Sequence, residues 1–205
     1  VAARNSDTQY GWVSITLHWL MAPAAIGLFA LGWWMRQLSY YDPWYRQGPE
    51  LHKSIGILLA CALLFRLFWK LFNPTPAPLA NTAPWQTLAA RLIHGALYLL
   101  LFAIVLSGYL ISTADGRAIE VFAWFSVPAT IQGIPNQEDI AGQIHKILAW
   151  TLMALVSLHA LAALKHHFID RDGTLRRMLG LAPQPGKPLP QTQVSLTNNT
   201  EGDLQ

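Results

Sequence analysis

The sequence predicts an all-α fold, an integral membrane protein built as a four-helix bundle. Three observations carry that prediction. Of the 205 residues, 53% are hydrophobic and only 12% are charged, too few to clothe a soluble surface. Four apolar runs, about 12–35, 51–72, 88–113 and 141–168, reach or exceed the roughly 20 residues that cross a hydrocarbon core. The segments between them carry prolines and polar residues, which end helices.

The first run follows VAARNSDTQYG, which lacks a basic flank, so it is expected to be a span and not a cleaved leader. RQLSYYDPWYRQGPE then links the first two spans, with aromatic residues suited to a membrane interface. NPTPAPLANTAPWQT turns the chain between spans two and three. A longer loop, about 114–140, has room for a short interfacial helix. After the fourth span and FIDRDGTLRRMLG, the tail LAPQPGKPLPQTQVSLTNNTEGDLQ has too little apolar content to fold. The expected organisation is one transmembrane domain over 1–180 and a disordered cytoplasmic tail over 181–205.

The lone cysteine, Cys61, lies inside the second run, which excludes a disulfide framework and a cysteine metal site. No CxxCH occurs, so haem is not attached covalently, and no pattern points to nucleic acid. With four spans both termini share a side. Nine of the 14 basic residues fall on that side: Arg4, Arg66, Lys70, Arg91, Lys165, Arg171, Arg176, Arg177 and Lys187. The other five are Arg36, Arg46, Lys53, Arg117 and Lys146. The positive-inside rule then places both termini in the cytoplasm and the protein in the bacterial inner membrane, in contact with lipid.

Every span carries a histidine. His18 lies near the inner end of span one, His52 at the outer start of span two, and His94 near the inner start of span three. His145 and His159 lie fourteen residues apart on span four. That spacing is about 21 Å and nearly four turns, so the two rings share a face at opposite depths. Depth sorts the candidates into an outer layer, His52 with His145, and an inner layer, His18 with His159. Ionisable groups within spans are costly and mark function. Neutral imidazole ligates metal without adding charge, and haem iron takes axial histidine. Two facing imidazoles clamp a planar porphyrin, so the four residues are metal-ligand candidates for two non-covalent b haems. A compact zinc or copper site would instead gather its ligands at one depth. The alternative for any single membrane histidine is a hydrogen-bond partner between helices. His94 falls outside both pairs and is expected to be a hydrogen-bonded packing residue, the other reading being a place near a haem or quinone.

His166 follows His159 by two turns on nearly the same stripe, toward the inner haem edge or a quinone head group. His167 faces elsewhere. Lys53 and Lys146 each follow an outer ligand candidate, and either anchor the helix at the interface or neutralise propionates and draw in an anion. Arg66 and Arg91, at the inner ends of spans two and three, have the same two readings.

ITLHWL, PELHKSIGILL, LYLLLFAIVLSGYLISTADG, QIHKILAW and SLHALAALKHHFIDRDGTLRRM together resemble the bacterial cytochrome b-561 family over about residues 8–180. The resemblance implies a four-helix bundle with two b haems exchanging electrons with ubiquinone or another quinone. It implies His52 and His145 as outer ligands, His18 and His159 as inner ligands, and His166 at the quinone. One kind of member oxidises superoxide outside and passes the electron to quinone, so the resemblance implies that this chain is an oxidoreductase. The rival expectation is a cytochrome subunit serving a separate periplasmic redox protein.

Overall fold

The computed structural model describes residues 2–79 and 82–181. Four long helices dominate it: α1 (Trp12–Met35), α2 (Trp44–Leu71), α3 (Pro84–Ser112) and α4 (Gln137–Lys165). A π-helical turn, His166–Asp170, continues α4, and a short α5 (Thr174–Met178) follows. Each long helix carries an 18-residue stretch of mean hydropathy 1.6 to 2.1, sufficient to cross a membrane. In hydrocarbon every backbone polar group must be satisfied within the segment, which helices achieve. The expected spans are all present. Helices α2, α3 and α4 start four to seven residues earlier than the apolar runs, because polar first turns such as WYRQGPE wind beyond the hydrocarbon.

Local chemistry sets the ends. Pro84 opens α3, where its missing N–H costs nothing, and Gln86 Oε1 accepts the Ala83 N–H at 3.1 Å. Glu138 and Asp139 occupy the first turn of α4, favourable against the helix dipole. Thr113, fully buried, donates to Tyr109 O and Ile131 O, while Gln137 Nε2 donates to Leu110 O and Ile131 O. These bonds fasten the long loop onto the end of α3.

That loop contains no interfacial helix. It forms an antiparallel hairpin of β1 (Ile119–Val121) and β2 (Phe125–Val127) instead. IEVFAWFSV is β-branched and aromatic, and its first strand alternates with Ile119 and Val121 buried and Glu120 exposed, the period of a strand. Phe122 and Ala123, both left-handed (φ 47° and 56°), make the tight turn closed by Trp124 N–H to Val121 O. The hairpin sits on α2, where the Ser54 hydroxyl donates to Glu120 O and accepts from the Phe122 N–H, both at 3.3 Å.

Helix α1 packs along α2 and α3 along α4, so the bundle is two helical hairpins side by side. The buried core of Met21, Leu28, Leu59 and Leu63, flanked by Tyr98 and Leu101, lies at mid-depth. Most other large apolar side chains face outward, as a lipid-solvated bundle requires. At the end opposite the hairpin, the N-terminal segment, the 72–79 loop and α5 meet. Asn5 Nδ2 donates to Pro74 O, Arg177 Nη1 to Ala77 O, and the Trp19 indole to Met178 O at 2.7 Å. The tail expected from 181 on lies outside the described residues beyond Leu181.

Candidate functional site

The histidines meet in two layers inside the bundle. At the hairpin end, His52 and His145 each lie eight residues into their helices, and their ring centres stand 6.2 Å apart with planes at 69°. At the terminal end, His18 and His159 stand 6.4 Å apart at 72°. Two metal–imidazole bonds of about 2 Å each, with roughly 1 Å more from each nitrogen to its ring centre, require about 6 Å. Both pairs therefore have the separation that one axial metal between them demands.

The outer pair is held largely by shape. A Cβ at Gly32 would stand 3.1 Å from His52 Cε1, and one at Gly108 would stand 3.2 Å from His145 Cε1. His145 Nδ1 also lies 3.0 Å from Ser107 Oγ, whose hydroxyl donates to Ile104 O at 2.9 Å. With the serine proton on the carbonyl, the imidazole donates from Nδ1 and leaves Nε2 free for a metal.

The inner pair has charged and aromatic company. Arg66 Nη2 lies 3.3 Å from His18 Nδ1, and its guanidinium and the Lys70 ammonium sit over Tyr98 at 5.7 and 4.9 Å. His94 packs edge-on to His159 at 5.2 Å between ring centres, so it belongs to the inner layer although it matches neither pair. Arg91 stays at the surface of α3.

Beyond the inner layer, the π-helical turn changes the register of the last residues of α4. His166 Nδ1 meets Asp172 Oδ2 at 2.7 Å and Asp170 Oδ2 at 3.1 Å, and Lys165 also pairs with Asp170. Burial alone would raise the Asp172 carboxyl, but hydrogen bonds from Thr174 and His166 outweigh it and hold it below the usual carboxylate range. His167 stacks edge-on against Phe168.

Among the outer cations, Lys53 is half-buried and Lys146 exposed, each beside its histidine. Arg117 is ion-paired with Asp115, which removes most of its contribution to an outer positive field. Sequence reasoning passed over Gly32, Gly108, Ser107, Asp170 and Asp172. The small pair SG at 107–108 within an apolar helix was the available signal for two of them.

A polytopic helical bundle with imidazole pairs at two depths defines a membrane protein of the b-type cytochrome class. The model of the family described as prokaryotic cytochrome b561 matches residues 9–181, and the chain belongs to that family. It is 56% identical over 176 residues to cytochrome b561 homolog 2 of Escherichia coli K12, covering 86% of this chain and 94% of that protein. It is 32% identical over 182 residues to cytochrome b561 homolog 1 of the same organism, covering 86% and 97%. It is also 29% identical over 176 residues to a Yersinia pestis protein named "Probable superoxide oxidase CybB", covering 83% and 96%. Haem b binding and electron transfer in a bacterial membrane follow from the family.

Proposed function

We propose that the chain is a dihaem membrane oxidoreductase that takes electrons from superoxide at the hairpin end and delivers them to membrane quinone at the terminal end. The observation that carries this reading is the repeated separation of 6.2 and 6.4 Å in two imidazole pairs at different depths. His52 and His145 would hold one b haem and His18 and His159 the other. When bound, the pair supplies reversible one-electron chemistry, and the protein contributes binding, orientation and electrostatics.

The surrounding side chains have definite parts in this scheme. Ser107 fixes the tautomer of His145. A ligating His18 would carry its proton on Nδ1, where Arg66 now donates, and the guanidinium would then be available to hold an anionic group such as a propionate. Arg91 adds positive charge at the same end. His166, with Nδ1 engaged by Asp172, presents Nε2 to a quinone carbonyl. Lys53 and Lys146 raise the local potential for an anion, since exposed charges beyond roughly 8–10 Å are screened.

Superoxide as donor is supported by the name of the Yersinia relative and by these two lysines. The deciding experiment is stopped-flow reduction of the purified protein by superoxide without any partner. The rate should fall with ionic strength, and fall again when Lys53→Gln and Lys146→Gln are combined, with both haem spectra unaltered. A salt-independent rate, unchanged in the double variant, would sink the steering and favour a periplasmic redox protein as donor. That second reading draws support from the exposed aromatic tip of the hairpin, where Trp124 is 73% exposed beside Phe122. The bias of basic residues toward the terminal end supports a cytoplasmic location for it. A reporter fused after residue 181 that works only in the periplasm would reverse the assignment.

A further inference from the structure

The two helical hairpins repeat one arrangement. On α1, Gly32 follows His18 by fourteen residues, and on α3, Gly108 follows His94 by fourteen. On α2, Arg66 follows His52 by fourteen, and on α4, His159 follows His145 by fourteen. Each interval is nearly four turns, so each pair shares a helix face about 21 Å apart. Both glycines lie within the last turn or so of their helices, against a histidine eight residues into the next long helix.

The contacts repeat in detail. A Cβ at Gly32 would meet His52 Cε1 at 3.1 Å and Nδ1 at 3.5 Å, and one at Gly108 would meet His145 Cε1 at 3.2 Å and Nδ1 at 3.5 Å. The same ring edge faces glycine in both cases. Among the glycines of the four long helices only these two meet a histidine: Gly48 packs against Met35, Leu38 and Trp34, and Gly27, Gly56, Gly95 and Gly142 have nothing within 4 Å of their Cβ positions.

We propose that Gly32 and Gly108 are positioning residues for the outer haem, seats that fix the ring planes of its two axial histidines. This rests on the assignment of His52 and His145 as ligands. A methyl group on either seat forces the adjacent ring to shift by a few tenths of an ångström or to rotate about its bond to the chain. Rotation changes the 69° between the two imidazole planes. The angle between axial imidazole planes governs the splitting of the iron d orbitals, and hence the lowest-field g value of a low-spin ferric haem.

The test uses the purified holoprotein with low-temperature electron paramagnetic resonance, a redox titration and a haem count. Gly32→Ala and Gly108→Ala should each retain two haems per chain, shift the lowest-field g value and midpoint potential of the outer haem, and leave the inner haem unmoved. Gly27→Ala and Gly95→Ala should leave the outer signal as in the parent. Gly32→Val and Gly108→Val, too large for either seat, should lose the outer haem alone. An outer signal unchanged in both alanine variants overturns the proposal, as does loss of both haems, which would make the glycines general packing residues. The ligand assignment fails by a different route. If His52→Ala and His145→Ala each keep two haems, the ligands are wrong whatever the glycine variants do.

Discussion

The outer and inner histidine layers are built from quasi-equivalent positions yet held by different forces. In the outer layer the two helical hairpins contribute the same set, a glycine and a histidine each, and the nearest constraints are backbone and one hydroxyl. In the inner layer the set is broken: α4 carries His159 where α2 carries Arg66, and His18 and His94 occupy the remaining places. Steric seating therefore defines one site and charge defines the other. The hairpin-end site is thus shaped by close steric contact with lysines only at its rim, whereas the terminal-end site has a guanidinium directly against one of its histidines.

The largest effect expected from this contrast is loss of a whole cofactor. His145→Ala should leave one haem per chain with the inner spectrum intact, and His159→Ala should leave one with the outer spectrum intact. A pyridine haemochrome assay giving one haem in the parent protein would falsify the two-layer assignment. Next is Ser107→Ala, which takes the nearer side-chain partner from His145 Nδ1 and leaves it the Ile104 carbonyl. Loss of such a supporting group costs about 10-fold or more in metal-site affinity. Haem retention under dilution should fall by that order for the outer haem only.

Arg66→Gln should sharpen the comparison from the other side. A nearby cation favours the reduced, less positive haem, so its removal should lower the inner midpoint potential. A shift of about 60 mV corresponds to one tenfold change in a one-electron equilibrium. Equal shifts at both haems in a redox titration would erase the distinction between the layers. The smallest effect concerns Asp172. Its carboxyl is held below its unfolded value, so its contribution to stability is present above roughly pH 4 and is lost as pH falls through the folded value. Asp172→Asn should slightly lower thermal stability at neutral pH and flatten the decline on acidification. Identical melting profiles of the two proteins from pH 7 to pH 3 would remove Asp172 from the account.

The parts legible in the sequence are those whose signal is local. Twenty or so apolar residues specify a span whatever lies beside it, and fourteen residues between His145 and His159 fix a face and a depth on one helix. The seats were hidden because Gly32 and His52 belong to different helices, and only the packing of α1 on α2 brings them together. Asp172 was hidden because the π-helical turn at His166–Asp170 changes the register that a regular helix projects. The β-hairpin was readable in principle from the alternation IEVF, but its location between two spans favoured an interfacial helix. His94 illustrates the limit of depth counting, which put it near the inner level without showing that its ring would lie against His159.

The hydrogen bond from the Trp19 indole to Met178 O joins residues 159 positions apart. Ribosomes add roughly 5–20 residues per second, so the first span waits about 8 to 30 seconds for that acceptor to be synthesised. Until then the end of α1 that carries His18 lacks its final fastening. The last fastening of that end of the bundle is therefore made by residues that follow α4, and a nascent chain halted there would display all four spans with the Trp19 indole still unpaired by Met178.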